Sequence, residues 1–167
     1  IVDRMRRFAS LSQGEVGEVE VNAVTSDALK MAALHRQPAV ELRFDPADEL
    51  PRVQGSSEHL IQAVLNLAIN ALQAVSEQGG GTVRVVTRSR DDSVEIRVSD
   101  DGPGIPRAIH VRIFDPFFTT KAPGEGSGLG LSITYDIIRE HRGLLELRSE
   151  DGGGAEFTIR LPARFES

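Results

Sequence analysis

The chain is expected to fold as an α+β two-layer sandwich: a mixed, mostly antiparallel sheet of about five strands with three helices on one face. Two observations predict this. Apolar residues recur at helical spacing in separate stretches, the longest running from Ser57 to Glu77. Alternating runs also come in pairs across short turns. Thr82–Arg90 and Ser93–Asp100 flank Asp91-Asp92, and Leu144–Glu150 and Ala155–Leu161 flank Asp151-Gly152-Gly153-Gly154. No internal repeat divides the chain.

Its 167 residues suit one domain with a true core. No apolar run is read as a membrane span, and no signal peptide is visible. The chain has no Cys, so disulfides and thiolate metal sites are excluded, which fits a cytoplasmic protein. A net charge of -6 argues against a nucleic-acid partner. It does not argue against a nucleotide pocket, where local charge and a metal can offset it. The first residue is Ile1 rather than Met, and the expectation is a piece of a longer protein.

In chain order, Ile1–Leu11 carries Ile1, Met5 and Phe8 on one helical face and is expected to be the tail of a helix from a preceding domain. Gln13-Gly14 ends it. Glu18–Val24 alternates and predicts a strand, followed by a helix from about Ser26 to Arg36 that Pro38 stops. Ala39–Phe44 predicts a strand turned at Asp45-Pro46, and Val53-Gln54 a short strand before the long helix. After the triple glycine 79–81 come the two strands ending at Asp100. A loop region with a short helix near Pro106–Val111 leads to a helix from Leu129 to about His141, which Gly143 ends before the last strand pair. The domain limits read from this are 1–14 for the preceding helix and linker, 15–163 for the folded domain and 164–167 for a tail.

Three stretches carry chemistry. The first is Asp100-Asp101-Gly102-Pro103-Gly104-Ile105. A carboxylate sits where a half-buried strand runs out into a loop, and it can accept a hydrogen bond from an exocyclic amine. Glycines beside it would let a flat ring approach the backbone. The second is the long helix. Ile61, Val64, Leu65, Ala68, Leu72 and Val75 form the expected core stripe, while Gln62, Asn66, Asn70 and Gln73 line another face. Two readings stand for that amide row. The amides face solvent or bond to a loop, or Asn70 offers its carboxamide oxygen to Mg²⁺, a hard cation content with few protein ligands when phosphates supply the rest.

The third stretch runs from Phe114-Asp115-Pro116-Phe117-Phe118-Thr119-Thr120-Lys121 into Gly124-Glu125-Gly126-Ser127-Gly128-Leu129-Gly130-Leu131. Spaced glycines directly before a helix expose N–H groups that favour phosphate. The pattern is neither a Rossmann fingerprint nor a P-loop, since no strand precedes it and no Gly-Lys-Ser/Thr closes it. A flexible linker is the competing reading, opposed by the helical pattern of Leu129, Ile133 and Ile137. At least one of Phe117 and Phe118 is expected in the core. Lys121 is either a surface charge or a point charge for a terminal phosphate.

Together these blocks resemble the catalytic, ATP-binding domain of sensor histidine kinases, on the Bergerat (GHKL) fold shared with gyrase-type ATPases, from about Glu15 to Pro162. Leu65–Ala71 resembles the N box, Asp100–Gly104 the first glycine box, Phe114–Phe118 the F box and Gly126–Leu131 the second glycine box. The wording around Asn70 and Lys121 is similar to nitrogen-regulation-type kinases. The resemblance implies ATP and Mg²⁺ as ligands, with Asn70 on Mg²⁺, Asn66 on phosphate and Asp100 on the adenine amine. Gly102, Gly104 and Ile105 would lie beside the ring. Phe118 to Ser127, including Thr119, Lys121 and Gly126, would form a short lid, with Gly128, Leu129 and Gly130 at the phosphates. Many such kinases keep a basic residue three positions after the Mg²⁺ Asn. Here Gln73 stands there, which shifts weight to Lys121.

Related ATPases place a water-activating Glu where this chain has Asn66. An amide is a poor general base, so slow hydrolysis and phosphoryl transfer, with Asn66 and Lys121 as the catalytic pair, are expected. The acceptor would be a His on a helical dimerisation domain of the same parent, and a response regulator would follow. None of His35, His59, His110 or His141 is followed by an acidic residue, so no acceptor is expected within the chain. The fragment is expected to be a monomer and its parent a homodimer, cytoplasmic or membrane-anchored. An anti-sigma-factor-like serine kinase and a non-catalytic nucleotide sensor are the alternatives.

Overall fold

In the computed structural model, residues 14–121 and 128–164 are described. The expected helix at Ile1–Leu11 and nearly all of the expected tail lie outside them. The elements are β1 (Gly17–Val19), α1 (Val21–Ala33), β2 (Val40–Asp45), β3 (Arg52–Gly55), α2 (Ser57–Glu77), β4 (Gly81–Arg90), β5 (Ser93–Asp100), α3 (Gly130–Glu140), β6 (Leu144–Ser149) and β7 (Ala155–Arg164). Two 3₁₀ turns, Arg107–Ile109 and Arg112–Phe114, replace the single short helix expected near Pro106–Val111.

The strands form one mixed sheet in the order β1-β3-β7-β5-β4-β2, with β6 also on β7. Among the described strands only β2 and β4 run parallel. The sheet has seven strands rather than about five, because β7 continues to Arg164 and there accepts β3, which carries β1. Val94, Ile96 and Val98 of β5 and Phe157, Ile159 and Leu161 of β7 are buried together with residues of all three helices. This alternation is what a sheet covered on one face requires.

The strand expected at Glu18–Val24 is cut short. Only Gly17–Val19 is strand, and the helix begins at Val21 rather than Ser26. Val21, Val24, Thr25, Ala28, Leu29 and Ala32 form a single buried stripe at helical spacing. Over Val19 to Val24 alone, a period of two cannot be told from one of 3.6.

The α2 helix keeps its expected bounds, and the Ser56 side chain caps it by accepting the His59 N–H. Its buried face is broader than the expected stripe. Leu60, Ala63, Leu67 and Ala71 are buried, whereas Ile61 and Leu65 are only partly so. The reason is position, since α2 packs on α1, on α3 and on the sheet at once. By length and hydropathy α2 is long and apolar enough to cross a membrane, contrary to the sequence reading, but half of that window is buried inside this domain. Its many Ala, Leu, Ile and Val residues give the hydropathy, and its amides stand where charges would otherwise be.

Candidate nucleotide-binding site

Strand β5 delivers Asp100 to the end of the sheet, below α2. There Asp100 Oδ1 accepts the Gly102 N–H at 2.9 Å. Burial pushes the Asp100 carboxyl above the usual carboxylate range, against the opposing pull of N–H groups from Gly102 and Ala155. Among the described residues no cation offsets that burial. The next residue does a different job. Asp101 Oδ1 accepts the Thr82 N–H at 2.8 Å, and its carbonyl takes a bond from Gln78 Nε2. Of the two adjacent acids, one is consumed by the fold and one is left facing open space.

That space is a cavity of about 790 Å³, inside the ~300–1,000 Å³ range of ligand sites. Asp100, Gly104, Ile105 and Asn70 line it, as do Phe118, Thr119, Lys121, Gly128 and Gly130 from the loop before α3. Residues from Asn70 to Gly130, sixty positions apart in the chain, thus meet at one opening. Gly102 lies behind Asp100, buried against Ala74 and holding the carboxylate through its N–H. Leu129 is buried in the core beneath the loop. Gly126 and Ser127 lie outside the described residues.

Asn66 does not line the cavity. Its Nδ2 donates to the Gly130 carbonyl at 3.2 Å and to the Thr134 hydroxyl at 3.4 Å, tying α2 to the first turn of α3. Lys121 crosses back over α2 and its Nζ donates to Gln73 Oε1. The cation therefore sits against the helix position one turn beyond Asn70. The amide row is thereby resolved into separate duties: Asn66 fastens two helices, Asn70 faces the cavity and Gln73 receives Lys121.

The glycines act partly on the protein's own backbone. Gly104 has φ 78°, and a Cβ there would strike the Glu150 carbonyl oxygen. Gly128 has φ 68°, and a Cβ there would strike the Phe117 backbone. Both positions need glycine before any ligand is considered. Phe117 itself holds φ 68° and is 70% exposed as a residue, and its N–H donates to the Gly128 carbonyl at 2.9 Å. A bulky residue in that region stores strain, of order 1–3 kcal/mol. Phe118 is the more buried of the pair; it packs on the core and lies under the Arg112 guanidinium, 4.7 Å from the ring centroid.

The α3 helix begins at Gly130 with no cap from the Leu129 side chain and no acid in its first turn. Its N-terminal dipole end is thus not neutralised by a neighbouring carboxylate. Among the described residues no group of three or more His, Cys, Asp or Glu could hold a metal by itself. A cation at Asn70 would need phosphate and water for its other ligands, a pattern that suits Mg²⁺. Cavity size, an acid with no cation beside it among the described residues, an amide, a lysine and a glycine-led helix start together fit a nucleoside triphosphate with its metal.

Several lining residues were not singled out from sequence: Ala74 on α2, Ile109 and Ile113 in the turns, and Ala155 and Phe157 on β7. They supply the apolar floor and walls. The only available signal was the position of Ala155, a small residue at the start of an inward-alternating strand after a glycine turn.

Residues 55–164 match the family described as histidine kinase-, DNA gyrase B-, and HSP90-like ATPase. The chain is similar to the sensor histidine kinase ZraS of Escherichia coli (strain K12), 36% identical over 145 residues, which is 86% of this chain and 30% of ZraS. Among solved structures, a mycobacterial sensor histidine kinase MprB superposes with TM-score 0.78 at 29% identity, over 92% of this chain and 100% of that one. Full-length ShkA in complex with AMPPNP superposes with TM-score 0.81 at 25% identity, over 96% of this chain and 34% of that one. The chain spans about a third of the length of the curated relative ZraS.

Proposed function

The chain belongs to the histidine kinase-, DNA gyrase B- and HSP90-like ATPase family, and from that premise we propose that it transfers the γ-phosphate of ATP to a histidine on a helical domain of its parent protein. The domain is of the sensor-kinase type, as its relatives and structural neighbours are. The observation that carries transfer over hydrolysis is Asn66. Where a water-splitting relative needs a carboxylate, this chain has an amide already bonded to Gly130 and Thr134. Such a group cannot take a proton from water at neutral pH.

The chain's own residues then divide the work. Asp100 accepts the adenine amine, and the Gly104–Ile105 backbone flanks the ring. The first turn of α3 offers N–H groups to phosphate oxygens. Lys121, held against Gln73, brings a positive charge toward the terminal phosphate. Asn70 presents an amide oxygen to the metal. Bound Mg²⁺ supplies charge neutralisation across the phosphates. Catalysis rests on positioning and charge.

Three of the four histidines are poor acceptors, and the fourth, His35, is exposed but has Arg36 rather than an acid after it. His141 is bonded on both ring nitrogens, to Ile137 and Ser56, His110 is bonded to Ile105, and His59 is buried. The domain is proposed to act as a cytoplasmic monomeric unit, with dimerisation and the response regulator engaged through the helical domain. Incubation with labelled ATP and Mg²⁺ should show binding without self-labelling, and addition of the parent's helical domain should place label on its histidine. Strong labelling of any of the four histidines here would overturn the reading. Asn70→Ala should lose Mg²⁺-dependent binding and transfer together; unchanged transfer would remove Asn70 from the metal.

A further inference from the structure

On the end rung of the sheet, Asp100 of β5, Ala155 of β7 and Ser149 of β6 are register partners in a row. Paired residues on adjacent antiparallel strands face the same side. Asp100 and Ala155 line the cavity. Ser149, one strand further out, uses its hydroxyl twice. Its Oγ accepts the Ile105 N–H at 2.7 Å and donates to the Gly154 carbonyl at 2.7 Å.

Ile105 lines the cavity, and its carbonyl is held from the other side by His110 Nε2 at 2.8 Å. The loop is fastened to the same hairpin turn at a further point, since Gly152 N–H donates to the Pro103 carbonyl at 2.7 Å. The turn between β6 and β7 is therefore the mould against which the loop 103–105 is set. Gly104 fits it only because it lacks a side chain against Glu150.

We infer that Ser149 is a positioning residue for base recognition: its hydroxyl fixes the Gly104–Ile105 backbone at the distance from Asp100 that a purine ring requires. The inference rests on the nucleotide reading above. It assigns to the β6–β7 hairpin a part in choosing the base, while the phosphate end is left to α2 and α3. Without the hydroxyl, the Ile105 N–H and the Gly154 carbonyl lose their shared partner and the loop is free to move away from Asp100.

The test uses the full chain and binding titrations with ATP and GTP. Ser149→Ala should weaken ATP binding about tenfold, as expected for two lost hydrogen bonds. It should also shrink the preference for ATP over GTP, and Ser149→Thr, which keeps the hydroxyl, should restore both. Equal weakening for the two nucleotides, or unchanged ATP affinity in a folded Ser149→Ala variant, would overturn the inference. Amide exchange in the unmodified protein gives a check that needs no variant. The Ile105 N–H should exchange slowly without nucleotide, and fast exchange would overturn the inference as well. A wild-type chain that binds no ATP would instead refute the nucleotide reading itself.

Discussion

Strand β5 carries two acids five residues apart, on opposite faces of the sheet, with opposite electrostatic fates. Glu95 lies on the face away from the helices and is only 1% exposed. It is capped by arginine side chains rather than by the core: Arg88 Nε at 2.5 Å, Arg160 Nη2 at 3.0 Å and Arg90 Nη1 at 3.6 Å. Burial alone would raise its carboxyl, but bonds to Arg88 and Arg160 overcome that and hold it below the ordinary range. Asp100, at the strand's end, has burial without a cation and is raised. The contrast teaches how a charge answered within the fold differs from one proposed to meet a ligand. Glu95 is answered by cations within the fold, whereas Asp100 has backbone N–H donors but no cation and lines the cavity, as expected of the proposed ligand contact.

The strongest way to break the contrast is Glu95→Ala. It should cost roughly 2–4 kcal/mol of unfolding free energy, on the low side for a buried ion pair because the freed arginines regain water. Urea denaturation would measure it. ATP affinity of the folded variant should not change, and a large loss of affinity would show that the two acids are not independent.

Asp100→Asn should do the reverse. ATP affinity should fall by about 1.5–3 kcal/mol, the worth of a charge-assisted hydrogen bond. The protein without nucleotide should gain stability at neutral pH, because a poorly compensated charge is removed. Calorimetric affinity that stayed constant would take Asp100 out of the pocket.

A pH series sharpens the comparison further, with smaller effects. Glu95 has a lowered folded value, so its stabilisation is present above the ordinary glutamate range and is lost as pH falls through that lowered value. Asp100 has a raised folded value, so its contribution is full below the ordinary aspartate range and is lost as pH rises through the raised value. The stability advantage of Asp100→Asn should therefore grow with rising pH across that interval. Wild-type ATP affinity should decline on acidification sooner than an ordinary aspartate would predict. A variant advantage that is flat with pH would contradict the assignment.

Much of this protein is set by local chemistry that its sequence displays. The bounds of α2, the β4–β5 and β6–β7 hairpins, and the acid at the end of β5 follow from periodicity, turn residues and a serine cap, all of which act within a few residues. Tertiary structure decided the rest, because it depends on partners distant along the chain. It chose helix over strand at Val21 by burying a stripe that extends to Ala32. It divided the amides of α2 among Gly130, the cavity and Lys121. It also placed Ser149 beside Ala155 and Asp100, through the register of three strands. A hydrogen bond between residues 44 positions apart, such as Ile105 to Ser149, leaves no periodic trace in either segment, so only the folded chain shows which serine holds the loop.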